Sequence, residues 1–152
     1  MTIVARRLLI WAAVLVFVCV GLVVGRNYEL DSAAAAIKTG NGSAAIRILK
    51  PLATLGDRNA QMLLGYGYAY GWTGFTRNAD DAMYWFSRKG LFGTRQPGSS
   101  GSQGAAEALS VARAYATGAE GVNPDLQESK KWLQLAARAG SEEAAATLSR
   151  SP

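Results

Sequence analysis

Hydrophobic and polar positions change their rhythm several times along this chain, and each change marks an element. Leu8 to Gly25, LLIWAAVLVFVCVGLVVG, is an uncharged run of 18 residues. At 1.5 Å per residue it would reach about 27 Å, close to the roughly 30 Å hydrocarbon thickness of a bilayer. Beyond it, Tyr28 to Thr39 predicts a helix with Ala33 to Ile37 as its apolar centre, stopped by Gly40-Asn41-Gly42. Ser43 is the expected N-cap of the next helix, which carries Ala45, Ile48, Leu49 and Leu52 and is expected to bend at Pro51. Ala60, Leu64, Tyr68 and Gly71 then recur at helical spacing along one side. After a turn marked by Gly71, Gly74 and Asn78, Asp81-Ala82 and Trp85 begin another helix, with Phe92 on the side of Trp85. Ala105 to Thr117 and Asp125 to Ala139 predict a last full hairpin, and Glu142 to Leu148 a closing helix that caps the open end.

Two helices joined by a glycine-marked turn cannot bury their apolar stripes alone, so copies of the pair are expected. Tyr68, Gly71, Gly74 and Trp85 recur as Tyr115, Gly118, Gly121 and Trp132, each 47 residues later. Ala53, Gly56, Ala60 and Leu64 likewise recur as Ala137, Gly140, Ala144 and Leu148. The second copy adds GVNPD, from Gly121 to Asp125, and Lys130-Lys131-Trp132 followed by Ala136-Ala137.

These residues resemble the Sel-one-like repeat family, helical hairpins related to the tetratricopeptide type, over about Ala33 to Leu148. The resemblance implies an all-α fold, a right-handed α-solenoid of about three hairpins occupying residues 28–150. It also implies a scaffold for other proteins rather than an enzyme. The segment AIKTGNGSAAIRILKPLATLGD reads as a first hairpin of this type.

Charge and composition then narrow the chemistry. Lys and Arg number 16 against 11 acids, a net charge of +5. Arg6, Arg7 and Arg26 flank the apolar run, leaving 13 basic residues against 11 acidic ones in the rest, too even a balance for a nucleic-acid surface. Histidine is absent and the one cysteine, Cys19, lies in the apolar run. An intrachain disulfide, a zinc site of Cys and His, and imidazole or thiolate catalysis therefore have no residues to work with. No metal, cofactor or small-molecule substrate is expected.

Arg6 and Arg7 before the run predict a signal anchor over 8–25, with residues 1–7 cytoplasmic and the remainder outside. In a bacterium that is an inner-membrane, single-pass protein with a periplasmic repeat domain. Trp11, Gly21 and Gly25 are the residues assigned to the anchor and the lipid bilayer; Gly21 to Gly25 spells a GxxxG, which lets two membrane helices approach. The alternative is a signal peptide cleaved near Val23-Val24-Gly25, releasing a soluble periplasmic domain.

Candidate chemistry is sparse. Asp80-Asp81 and Glu142-Glu143 are sequence neighbours that point about 100° apart on a helix and sit at helix starts, where capping accounts for them. Gly65-Tyr66-Gly67 resembles part of a phosphate loop, yet no strand precedes it, and close helix packing is the simpler account. Residues 93–104 interrupt the repeat with Gly, Ser, Pro and Gln and predict a flexible insertion, open to a partner-binding role. Lys89 and Gly90 depart from the repeat, standing where the last copy has Ala136 and Ala137.

Aromatic residues carry the remaining signal. Tyr68, Trp85, Tyr115 and Trp132 hold repeat positions, whereas Tyr66, Tyr70, Trp72, Phe75 and Tyr84 do not. Such a surplus is either extra core or a binding patch, and these five are the candidate partner-binding residues. The expected function is an anchored interaction module, an accessory or adaptor subunit docking on a larger envelope complex. The alternative is a cell-wall or polysaccharide-binding module that stacks sugars on the same rings.

Overall fold

The computed structural model describes residues 3–88 and 103–150, and among them all regular structure is helical. The order is α1 (Ile3–Lys38), α2 (Gly42–Thr54), α3 (Arg58–Tyr70), α4 (Ala79–Ser87), α5 (Gln103–Thr117), a 3-10 turn (Ala119–Gly121), α6 (Leu126–Arg138) and α7 (Glu142–Arg150). Each helix packs on the next in sequence. The result is three hairpins, α1–α2, α3–α4 and α5–α6, with α7 laid on the last, consistent with an α-solenoid.

Turn chemistry repeats with the sequence. The Asn78 amide donates to the Tyr68 carbonyl at 3.0 Å, and 47 residues later Asp125 does the same to Tyr115 at 2.8 Å. Asn78 caps α4 through the amides of Asp80 and Asp81, and Asp125 caps α6 through those of Gln127 and Glu128. Gly71 and Gly118 close the preceding helices in the left-handed region, at φ 65° and 78°. Asp80-Asp81 and Glu142-Glu143 stand in the first turns of α4 and α7.

Burial divides into two clusters that share the middle hairpin. Ala33, Ala45, Leu49, Ala53, Ala60, Leu64, Phe75 and Trp85 make the first, and Tyr70, Phe86, Val111, Tyr115, Trp132 and Ala144 belong to the second. Tyr68 and Trp72 pack against both. Small residues let the helices approach and large rings fill the gaps, each such ring contributing about 1.5–3 kcal/mol of burial.

Local details differ from the sequence expectations. The N-cap of α2 is Asn41, whose side-chain oxygen accepts from the Ala44 amide at 3.2 Å. Ser43 lies inside the helix and its hydroxyl donates to Asn41. The helix continues through Pro51 to Thr54. Helix α4 ends at Ser87, and Phe92 lies outside the described residues. Lys89, Gly90 and positions 93–102 of the insertion lie outside the described residues, and Gln103 and Gly104 open α5.

The N-terminal region is the main correction. The apolar run is not a separate element: α1 continues without a break from Ile3 to Lys38, so Arg26, Glu29, Asp31 and Lys38 share its helix. Arg26, read from sequence as a flanking charge, pairs with Asp57, which also caps α3 through the Ala60 amide. The side chains at 8–10, 13, 17–20, 22 and 23 lie outside the described ones. Among the described residues no helix is long and apolar enough to cross a membrane. The anchor over 8–25, its lipid contact through Trp11, Gly21 and Gly25, and the inner-membrane, single-pass placement are therefore not supported. Trp11 is exposed in this structure, and nothing lies within 4 Å of a Cβ built on Gly21 or Gly25.

Candidate functional site: an aromatic seam on the middle hairpin

Helix α3 carries a tyrosine at every second position of its last turns, Tyr66, Tyr68 and Tyr70. Residues four apart share a face, and the Tyr66 and Tyr70 rings stack at 5.6 Å with 9° between planes. Tyr66 meets the edge of Phe86 at 5.1 Å. Tyr70 reaches Trp72 and Tyr115, each at 6.1 Å. The chain of rings continues from Trp72 to Phe75 at 6.3 Å and from Phe75 to Tyr68 at 5.4 Å. A continuous aromatic seam thus runs from the second cluster to the first.

The glycines of Gly65-Tyr66-Gly67 make this approach possible. A Cβ on Gly65 would collide with the Phe86 ring, and one on Gly67 would collide with Phe75. Their role in this structure is close packing against rings.

Four of the five candidate residues, Tyr66, Tyr70, Trp72 and Phe75, come together in the seam. Tyr70 and Phe75 are each only 6% exposed, whereas Tyr66 and Trp72 are half-buried. Tyr84 does not join them. It stands 54% exposed on α4, edge-on to Trp85 at 5.0 Å, with the Arg88 guanidinium 5.4 Å from its ring. The helical period of α3 alone puts Tyr66 opposite the Leu64 stripe, but α5 covers that side and makes it a second core face.

Burial keeps these phenols protonated. It pushes Tyr70 far above the ordinary tyrosine value and also raises Tyr66, Tyr68 and Tyr115. The nearby Glu107 carboxylate raises Tyr66 further, while a hydrogen bond with the Ser110 side chain opposes the shift. The Tyr115 hydroxyl donates to the Ala69 carbonyl at 2.9 Å. The Arg77 guanidinium lies 5.5 Å from the Tyr115 ring centre.

One buried charged group beside the seam was missed from the sequence. Glu107 of α5 is 9% exposed and pairs with Arg58 at the start of α3. Burial raises its carboxyl above the usual range, and the Arg58 charge opposes that rise. The signal was present in the repeat register, where the 47-residue offset sets Glu107 over the core alanine Ala60. Among the described residues no group of three or more His, Cys, Asp or Glu could hold a metal ion.

An all-helical stack of capped hairpins with shared cores defines a helical-repeat protein. Two stretches, residues 58–88 and 105–141, match the Sel1 repeat. Sel1 repeats are thus present at two places in the chain, covering the α3–α4 and α5–α6 hairpins. They are generally modules for protein–protein interaction, scaffolds rather than enzymes. No curated protein matches the chain.

Proposed function

We propose that this chain is a protein-interaction module, an adaptor or accessory subunit that docks on a larger complex through the aromatic seam of its middle hairpin. The seam rings pack on one another, and a face already held in place loses little freedom when a partner binds. In this reading Tyr66 and Trp72 present the partly exposed rings, and Tyr70 and Phe75 hold them from behind. Tyr84, with Arg88 against it, forms an outlying contact on α4, and the repeat domain over 28–150 acts as the docking unit. The observation that carries the reading is the seam itself. Its rings exceed what the repeat requires, and they concentrate where both cores meet. Aromatic rings that are partly desolvated and firmly supported are the usual centres of protein interfaces.

The test is capture of partners by the full chain, compared with its Trp72→Ala and Tyr84→Ala variants, each with a melting curve. Trp72→Ala is expected to weaken a saturable, stoichiometric protein partner by about 2 kcal/mol, roughly 30-fold, while the variant still melts cooperatively. Undiminished capture by a folded Trp72→Ala protein would reject the seam as the docking face. Retention on insoluble glycan, lost with the same substitution, would favour the polysaccharide-binding alternative.

A further inference from the structure

In α3 and α7 the same repeat position holds a fully buried alanine, Ala60 and Ala144. In α5 it holds Glu107. One carboxylate oxygen is paired with the Arg58 guanidinium; the other, Oε2, is buried with no hydrogen-bond partner among the described residues. The second arm of Arg58 donates to the Phe86 carbonyl at 3.0 Å. That carbonyl lies in the last turn of α4, which ends at Ser87, whereas α6 runs to Arg138, four residues past Gln134, the counterpart of Ser87. Arg58 therefore supplies a donor where a continuing helix would supply a backbone amide.

The pair stands where the second hairpin loses a turn and the third begins. Among the described residues, its surroundings offer little compensation. Arg58 and Tyr66 of α3 are the titratable groups that face Glu107, α4 contributes the Phe86 carbonyl, and Ser110 of α5 is engaged with Tyr66. A buried ion pair with an unsatisfied oxygen holds two elements less firmly than an apolar contact of equal size. At the other two joints this position is an alanine, Ala60 and Ala144. The polar groups beside them are the neutral Gln61, whose Nε2 donates to the Ala53 carbonyl at 3.0 Å, and Ser141. The Arg26–Asp57 and Arg113–Glu143 pairs each keep one or both partners open to solvent.

We propose that the Arg58–Glu107 pair makes the joint between the second and third hairpins the first place at which the stack opens, a hinge governed by the proton on Glu107. Burial raises the carboxyl of the closed joint above that of the solvated carboxyl in the opened one. The closed joint then binds the proton more tightly, so protection is gained as pH falls through the raised value and lost as pH rises above it.

Native-state hydrogen exchange on the full chain, expressed as protection factors along α4, α5, α6 and α7, tests this. The wild-type joint, at the end of α4 and the start of α5, should be less protected than α6 and should gain protection on acidification. The double variant Arg58→Met with Glu107→Ala restores the repeat's alanine. It should raise protection at the start of α5 at neutral pH by at least about tenfold and abolish its pH dependence, while the end of α4 loses the Arg58 bond to the Phe86 carbonyl. Arg58→Met alone strands the carboxylate and should lower protection there while steepening the pH dependence. If that single variant fails to fold, the double variant decides. Protection at the joint that is independent of pH in the wild type, or that falls at the start of α5 in the double variant, would overturn the hinge.

Discussion

The hydroxyl of Tyr115 on α5 donates to the main-chain carbonyl of Ala69 on α3 at 2.9 Å, tying the third hairpin to the second. Both residues are buried, Tyr115 to 1% exposure and Ala69 completely. The ring satisfies the repeat's need for bulk, and the hydroxyl adds a directional bond between neighbouring repeats. Tyr115→Phe keeps the bulk and leaves the Ala69 carbonyl without that donor. The expected loss is about 1 kcal/mol, read as a lower denaturant midpoint with an unchanged slope.

Trp132 holds the equivalent of Trp85 one repeat later and is 1% exposed. Trp132→Ala should cost about 3–5 kcal/mol through the cavity it leaves. Tyr84→Ala, at an exposed position, should change stability by less than about 0.5 kcal/mol. Thermal midpoints of the two variants measure the contrast. Equal midpoints would contradict the burial described here.

Alkaline solution should loosen the stack steeply. Tyr66, Tyr68, Tyr70 and Tyr115 all titrate above the ordinary tyrosine value, burial being the largest cause for each. The unfolded chain releases its phenolic protons near pH 10, while the folded chain keeps them. Stability is therefore intact below about pH 10 and is lost above it, by up to about 1.4 kcal/mol per pH unit for each tyrosine that stays protonated. Denaturant unfolding at successive pH values reads the slope, and Tyr70→Phe should flatten it. A slope unchanged by that substitution would remove Tyr70 from the account.

Much of the fold was legible because it is written in local spacing. Ala60, Leu64 and Tyr68 at helical intervals, and the tyrosines, glycines and tryptophans returning after 47 residues, mark helices, turns and their copies without reference to distant contacts. The caps are less legible: the sequence points to Ser43 where Asn41 caps α2, and it marks Asn78 as a turn residue and not as the cap of α4. Local reading failed where two patterns ran together. Between the apolar run and Tyr28 stand only Arg26 and Asn27, and neither residue type forces a stop, so nothing there told one continuous α1 from two helices.

The sequence by itself thus determined the helical hairpins, their 47-residue register and the glycines that mark their turns, because helix periodicity and turn chemistry act over a few positions. Only the tertiary structure decided which surplus rings meet. Tyr66 and Phe86 are 20 residues apart and Arg58 and Glu107 are 49 apart, and each contact exists because α3, α4 and α5 pack together. Burial follows from that packing too. A ring such as Phe75, placed by its spacing in a turn, becomes core once Gly67 and Gly42 lie against it, and spacing along one helix carries no record of what covers it.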